Sequence, residues 1–249
     1  MDFDFSDDQE QLRDAVRRWV DKAYGFERRR AIVAGGGFDR AAYGELAGLG
    51  LTALTVPEAH GGLGQGAVDA MLAMEELGRG IVLEPLAQTF IATGVLARCA
   101  ADAVQAAWLP RIASGEALVV LAQQERKARY RLDVCESKAA SAQGGYALTA
   151  HKSIVNAGDQ ADAWLVPAQL GGAIALFLVE KGARGVKCQG YGLQDGGRAA
   201  ELQLADAPAT LVTQDGLAAL ELAQDIGIAA SCAYAVGVMD QTMRLTADY

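Results

Sequence analysis

The sequence has 249 residues, of which 51% are hydrophobic and 21% are charged, as in folded globular proteins rather than disordered ones. Its 22 basic and 31 acidic residues give a net charge of −9, which disfavours nucleic-acid binding because phosphates require a basic face. The acidic start does not resemble a signal peptide, and the longest uncharged run near the end (226–239) is shorter than the roughly 20 residues of a membrane span. We therefore predict a cytoplasmic protein without a membrane segment.

Cysteine and histidine usage argues against several kinds of site. The four cysteines lie far apart and form no CxxC pair, so we interpret them as reduced packing residues. His60 and His151 are too few and too isolated for a zinc site, and we predict no bound metal. The HExxH, GxSxG and Walker A motifs are absent from the sequence.

Residues 1–113 have the pattern of an all-α domain. Ser6 and Gln9 form a capping-box pattern, and an apolar stripe at helical spacing follows them. We expect Gly50 and Gly78 to end the second and third helices. Further helices are predicted over residues 39–49, 67–77, 85–99 and 102–113. Five helices joined by short connections predict a bundle.

Residues 114–214 have the pattern of a β-domain. Short apolar runs predict strands over residues 117–122, 146–150, 162–168, 173–179 and 199–207. The Gly144 and Gly145 pair is typical of a hairpin turn, whereas Pro167 indicates a strand end or a sheet edge. Six or seven strands in about 100 residues predict a small antiparallel barrel or sandwich.

Residues 215–249 return to a helical pattern with few turn signals. One unbroken helix here would be roughly 50 Å long. Gly227 and Gly237 would allow close contact with other helices. A helix that is apolar on most faces must pack against others, and no other segment is left to cover it. We therefore expect this segment to be the first helix of a larger C-terminal α-domain, or to pack on another subunit.

Four motifs follow in an order that resembles one enzyme family. "VPEAHGGLG" (56–64) is similar to "PExxGGxG", and "LPRIASGE" (109–116) is similar to "LPxxAxGE". "GYALTAHKSIVNAGDQADAWLVPA" (145–168) is similar to "GxxLxGxKxWITNGxxAD", and "RAAELQLADA" (198–207) is similar to a late strand. These are motifs of the acyl-CoA dehydrogenase family. The resemblance implies an N-terminal α-bundle, a middle β-domain and the start of a C-terminal α-bundle.

Three further segments resemble one branch of that family. They are "MDFDFSDDQEQLRDAV", "QERKARY" and "YGLQDGGRAAEL", which look like the small subunits of bacterial pimeloyl-CoA dehydrogenase-type enzymes. The resemblance implies a homo-oligomer, or a heteromer with a related large subunit. It also implies an acyl-CoA substrate and electron transfer flavoprotein as the acceptor.

The resemblance implies FAD-dependent α,β-dehydrogenation of an acyl-CoA thioester, in which a carboxylate removes the Cα proton and a hydride passes from Cβ to flavin N5. The family places this base, and the "RxQFG" segment that holds FAD, in its third domain. We therefore expect no catalytic residue within this chain, which would be inactive alone. Two alternatives remain: a non-catalytic structural subunit, and a flavin oxidase on the same fold.

In the family, two strands contact the flavin through "TEPxxGSD" and "KxWITN". The first is altered here to Gln123-Gln124-Glu125-Arg126, and the second keeps Lys152. The resemblance implies cofactor-binding positions, largely through backbone groups, at Gln123, Gln124, Ile154, Val155 and Asn156. The alternative is that both strands only build the barrel core, and we expect Glu125 to be structural.

Two positions are candidates for substrate binding. Arg126 opens the cationic run of "ERKARYR" (125–131), which suits CoA or FAD phosphates or a distal carboxylate, although a solvated charge run is equally consistent. Gly62 lies in "GGLGQG" (61–66), which is not placed between a strand and a helix as a dinucleotide loop would be. The resemblance implies that this loop lines the acyl pocket, and a plain connector is the alternative.

Overall fold

The computed structural model describes residues 4–248. Within them the helices are α1 (Asp7–Ala23), α2 (Phe26–Ala34), α3 (Arg40–Gly48), α4 (Ala67–Arg79), α5 (Leu86–Cys99), α6 (Asp102–Ala113) and α7 (Gly216–Ala247). The strands are β1 (Val119–Leu121), β2 (Lys138–Ala142), β3 (Gly145–Asn156), β4 (Ala163–Leu170), β5 (Ala173–Glu180), β6 (Val186–Gly192) and β7 (Arg198–Thr213). The predicted fold class, with a helical region, a sheet region and a C-terminal helix, is confirmed. The domain boundaries at 113/114 and 214/215 stay predictions.

Local signals explain several of the helix ends. Ser6 Oγ accepts the Gln9 backbone N–H, and Gln9 Oε1 accepts the Ser6 backbone N–H, so the capping box at α1 is confirmed. Gly50 has a φ of +81° just beyond α3, as a C′ glycine requires. The prediction that Gly78 ends its helix is wrong, because α4 continues to Arg79. Gly78 instead allows close helix contact, since an added Cβ would lie 2.1 Å from the Tyr234 carbonyl oxygen of α7.

The helix α2 is an element that the sequence pattern does not reveal. Ile32 is its one buried side chain, so it has no apolar stripe at helical spacing. Tertiary contacts hold it instead: Arg28 binds both carboxylate oxygens of Glu45, and Arg29 donates to the Ile81 carbonyl oxygen. The described residues before β1 therefore form six α-helices rather than the predicted five.

The strands close into a barrel. The pairing runs β4–β5–β7–β3–β2 and returns to β4, while β1 and β6 extend it on β4 and β7. The β2–β3 hairpin at Gly144 and Gly145 is confirmed, but β1 pairs with β4 in parallel. Pro167 lies inside β4 rather than at a strand end. Pro167 pairs with Leu176 of β5 on one side. On its other side it lies between Leu165, which pairs with β1, and Gln169, which pairs with β2, so β4 has no partner residue there that would need the missing N–H.

One face of α7 packs on the N-terminal bundle. An added Cβ at Gly237 would lie 1.8 Å from the Glu75 carbonyl oxygen of α4, and Ile226 contacts Gly94 of α5. The expectation that nothing else in the chain covers this helix is therefore wrong for this face. Away from this contact α7 exposes large apolar side chains, namely Leu217, Ile228, Val236, Met239, Met243 and Leu245.

Among the described residues, α7 is the one helix long and apolar enough to cross a bilayer by length and composition alone. From the length of the uncharged run (226–239) we expected no segment that could span a membrane. Core helices pass the same test, and α7 packs on α4 and α5 through close contacts at Gly78, Gly94 and Gly237. A core of buried residues from α5, α6, α7, β1, β4, β5 and β7 joins the bundle to the barrel.

Candidate functional site

A cavity of about 690 Å³ lies where α5 and α7 meet the end of the barrel. Its size is within the range of small-molecule and cofactor sites, about 300–1,000 Å³. Residues of α5 and α7 form one side, and the ends of β1 and β3 form the other. The sequence-predicted cofactor residues that line it are Gln123, Gln124, Ile154 and Asn156. The fold thus brings together four of the five predicted cofactor positions.

Backbone hydrogen bonds hold the two strand ends side by side. The Ser153 N–H donates to the Gln124 carbonyl oxygen at 2.8 Å. The Leu121 N–H donates to Gln88 Oε1 of α5 at 3.1 Å, which ties the strand to the helix that faces it. These bonds fix Gln123 and Gln124 at the cavity wall.

Ile154 owes its position to an unusual backbone conformation. Its φ is +52°, which is a true outlier for a β-branched residue, and the pairing of β3 with β7 shifts register between Lys152 and Val155. The Ile154 side chain, 48% exposed, therefore lies in the cavity, while Val155 is 2% exposed in the barrel core. Such strain persists where surrounding structure enforces it, and it concentrates at functional sites.

A buried ion pair supports this wall from inside the barrel. Lys152 Nζ lies 2.6 Å from Glu125 Oε1 and donates to the Pro167 carbonyl oxygen at 2.8 Å. Glu125 also accepts from the Ser137 hydroxyl at 2.6 Å and from the Glu136 N–H at 2.6 Å. Burial raises the pKa of Glu125, but the Lys152 charge and these donors outweigh burial and lower the pKa to about 2. Glu125 is therefore an ionised structural group beside the cavity.

Three predicted site residues lie outside this cavity. Val155 is in the barrel core, so a ligand contact there would have to come from its backbone. Arg126 lines a separate surface depression with Glu136 and His151. An added Cβ at Gly62 would lie 1.9 Å from the Val56 carbonyl oxygen, so close packing of the loop requires glycine there. The binding roles of all three stay predictions.

The cavity mouth carries two residues that sequence reasoning did not single out as site residues. Arg129 and Tyr130, from the same cationic run as Arg126, line the cavity, and Tyr130 is 95% exposed. Arg129 has a φ of +52°, which turns the loop. The charge run indicates a loop in the sequence, but which of its residues face the cavity depends on this turn.

The described lining of the cavity lacks a carboxylate and an imidazole, the most common proton acceptors in active sites. None of the described residues that line it is an aspartate, a glutamate or a histidine. Gln88, Gln123, Gln124, Gln224 and Asn156 offer neutral amides, and Arg129 offers a cation. Neutral amides and a guanidinium suit hydrogen bonding to a polar ring edge or a phosphate rather than proton abstraction.

Comparison with known proteins agrees with this architecture. Residues 6–116 match the family profile described as acyl-CoA dehydrogenase, N-terminal domain. The chain is 28% identical to acyl-CoA dehydrogenase FadE27 of Mycobacterium tuberculosis over 216 residues, which is 85% of this chain and 56% of the relative. It is 29% identical over 192 residues to benzylmalonyl-CoA dehydrogenase of Aromatoleum aromaticum, covering 75% of this chain and 50% of the relative.

Among solved structures, the ChsE4–ChsE5 complex of Mycobacterium tuberculosis matches with a TM-score of 0.85 and 26% identity. The match covers 100% of this chain and 68% of that chain. The chain spans about half the length of the two relatives above. Residues 6–116 are thus similar to the N-terminal domain of acyl-CoA dehydrogenases, and the two sequence relatives carry the name of acyl-CoA dehydrogenases over a larger part of the chain.

Proposed function

We propose that this chain belongs to a flavin-dependent acyl-CoA dehydrogenase that catalyses α,β-dehydrogenation of an acyl-CoA thioester. The observation that carries the proposal is the cavity between α5, α7 and the barrel, where the ends of β1 and β3 meet. Homologous enzymes that act on acyl-CoA thioesters support it. The pimeloyl-CoA branch, the cytoplasmic location and electron transfer flavoprotein as acceptor remain predictions from the sequence.

The residues around the cavity fit FAD. Backbone and amide groups of Gln123, Gln124 and Asn156 would hold the polar edge of the ring, and the exposed Ile154 side chain would pack on its face. Arg129 would meet a phosphate at the mouth. When bound, FAD supplies the acceptor for the hydride that leaves Cβ. The altered "TEP" and "WIT" positions leave the backbone groups available, because those do not depend on side-chain identity.

The chain's own residues would orient the thioester and exclude water from it. Ile91 of α5 and Ile228 of α7 add apolar surface to the helical side of the cavity. Apolar surface that excludes water strengthens the electrostatic interactions inside a site. The family reaction removes the Cα proton with a carboxylate, and the described lining supplies no carboxylate. We therefore assign the base to another segment of the protein or to a second subunit. The apolar outer face of α7 is the surface against which that part would pack.

A second candidate is a structural subunit that completes a heteromer without turnover at its own cavity. The lack of a carboxylate or an imidazole among the described lining residues favours it. Under this alternative the chain would shape and stabilise the partner's site. The structural match to a two-component complex is consistent with either role.

A flavin spectrum of the full-length gene product, purified alone and with its partner, separates the candidates. If this cavity binds flavin, Ile154→Arg should remove most of the bound flavin, and acyl-CoA should bleach the wild-type spectrum. Phe26→Arg is the matched control, because Phe26 is 71% exposed on α2 and does not line the cavity. Flavin that survives Ile154→Arg would assign catalysis to the partner, and no flavin in any preparation would refute the dehydrogenase proposal.

A further inference from the structure

A cavity of about 330 Å³ lies between α4, α5 and α7, and we call it the helical cavity. Among the described residues it shares none of its lining with the cavity at the end of the barrel. Gly94 of α5 and Ile226 of α7 lie against each other and line the helical cavity. Their neighbours Ile91 and Gly227, which also lie against each other, line the cavity at the barrel end. The contact between α5 and α7 thus separates two sites, and the volume of the helical one is at the lower end of the range for small-molecule sites.

The interior of the helical cavity is largely apolar. Small side chains leave the space open, since Ala70 of α4, Ala97 of α5 and Ala229 of α7 line it. Met71 and Phe90 add larger apolar surface. A ligand that fills this space would gain most of its binding free energy from buried apolar surface, so it needs an apolar body.

Arg98 supplies the one charged side chain among the described residues that line the helical cavity. It lies in the last turn of α5 and is exposed. Other exposed arginines are held by carboxylates, as Arg111 is by Glu116 and Arg244 by Asp240. Within residues 4–248, Arg98 forms neither a hydrogen bond nor a salt bridge. A free guanidinium beside apolar surface suits a carboxylate, which it can bind through two parallel hydrogen bonds.

The charges around the helical cavity favour an anionic head group. The described lining contains no aspartate or glutamate, and Gln65 adds a neutral amide. Asp69, in the first turn of α4, is 9% exposed and is already engaged, because its Oδ2 accepts the Gly66 N–H at 3.1 Å. A carboxylate head would therefore meet Arg98 without an acidic residue in the lining, whereas an ammonium head would meet a like charge.

We propose that the helical cavity binds a medium-chain monocarboxylate, with its hydrocarbon chain between the three helices and its carboxylate on Arg98. A single cation at an apolar cavity matches a ligand with one charged end, such as a free medium-chain fatty acid. The inference goes beyond the proposed function and does not depend on it, because neither a flavin nor a thioester takes part.

Calorimetric titration with two matched ligands tests the inference. Octanoate and 1-octanol have chains of equal length and differ in the head group, and both are titrated into the full-length gene product purified with its partner. Arg98→Met should weaken octanoate binding about tenfold, because it removes a charge-assisted hydrogen bond. The same variant should leave octanol binding unchanged, because methionine keeps an apolar stem of similar length.

Three further variants serve as controls. Arg18→Met should not change octanoate binding, because Arg18 is exposed on α1 and does not line the helical cavity. Ala229→Phe should abolish binding of both ligands, since the ring would fill the cavity from an exposed position on α7. Ile154→Arg alters the cavity at the barrel end and should leave octanoate binding intact.

Equal octanoate affinity of the wild type and Arg98→Met would overturn the inference. Loss of octanoate binding in Ile154→Arg would overturn it too, because the acid would then occupy the other cavity. No octanoate binding to the wild type would show that another segment or subunit fills the helical cavity, which also refutes the inference. The flavin spectrum tests the proposed function separately, so either idea can fail without the other.

Discussion

At the scale of single residues, the site depends on side chains to which the motifs assign no role. Lys152, which matches the lysine of the "KxWITN" motif, does not reach the cavity, because it is fully buried against Glu125. Its effect on the site comes through the adjacent residues, since Ser153 binds Gln124 and Ile154 turns outward. The ion pair thus supports the cavity wall rather than a ligand.

The Glu125–Lys152 pair predicts a pH dependence of stability. The pKa of Glu125 is lowered to about 2 in the folded state, from an ordinary value of 4.5, so the fold favours its ionised form. Its stabilising contribution is present above about pH 4.5 and is lost as the pH falls toward 2. Glu125→Gln should remove this acid-dependent part of the free energy of unfolding, as measured by urea denaturation at several pH values.

At neutral pH, Glu125→Gln should also cost about 3–5 kcal/mol, because it leaves Lys152 buried without a counter-charge. Glu136→Gln is the matched control, since Glu136 pairs with Lys127 at the exposed surface and should change stability by less than about 1 kcal/mol. Similar losses for the two variants would contradict a supporting role for the buried pair.

The cationic loop provides a second prediction at this scale. Arg129→Ala should weaken FAD or acyl-CoA binding about tenfold, on the order of 1.4 kcal/mol, because Arg129 lines the cavity. Arg126→Ala should cause the smaller loss, since Arg126 faces the neighbouring depression and can meet only a ligand that extends beyond the cavity. Arg131→Ala is the control, because Arg131 is exposed and paired with Asp133. A larger effect at Arg126 would restore it as the main binding residue.

At the scale of elements, the contact between α4 and α7 positions one wall of the cavity. Gly78 and Gly237 let the two backbones approach, since a Cβ at either residue would overlap a carbonyl oxygen of the other helix. Ser231 and Gly227 of α7 line the cavity. A shift of α7 would therefore change the shape of the site.

Gly237→Ala tests this dependence. The added methyl group would sit 1.8 Å from the Glu75 carbonyl oxygen, so the helices must separate at a cost of about 1–3 kcal/mol, despite the higher helix propensity of alanine. Gly44→Ala is the control, because no atom lies within 4 Å of its Cβ position and the change should stabilise by roughly 0.5–1 kcal/mol. Thermal denaturation would distinguish them, and equal shifts in the two melting temperatures would refute the close-packing explanation.

At the scale of the whole molecule, α7 has two different faces. Its inner face packs on α4 and α5, while Ile228, Val236, Met239 and Met243 recur at helical spacing on the exposed face. Such a contiguous apolar stripe marks an interaction surface in soluble proteins. The proposed base-bearing segment or subunit would cover it.

This stripe predicts the solution behaviour of the 249-residue chain. We expect concentration-dependent self-association, detected by sedimentation velocity, and we expect Met239→Lys combined with Met243→Lys to reduce it. Val33→Lys on α2 is the control, since it also replaces an exposed apolar residue but lies outside the stripe. A monomeric wild-type chain at all concentrations would argue that this face does not drive association.

Local sequence signals by themselves determined much of the fold. The Ser6 capping box, the C′ glycine at Gly50 and the β2–β3 hairpin each depend on backbone preferences of a few adjacent residues, and all three are present. The order of motifs likewise pointed to the family and to the strand ends that line the cavity. The helix α2 was missed because its stability comes from long-range arginine contacts rather than periodicity.

Only the tertiary structure decided which side chains face the site. Ile154 and Val155 are adjacent and similar in the sequence, yet a positive φ and a register shift send one to the cavity and the other to the core. Likewise, the positive φ of Arg129 turns the loop, and Arg129 rather than Arg126 lines the cavity. Local preferences specify elements, whereas the direction and burial of a side chain depend on residues that are distant along the chain.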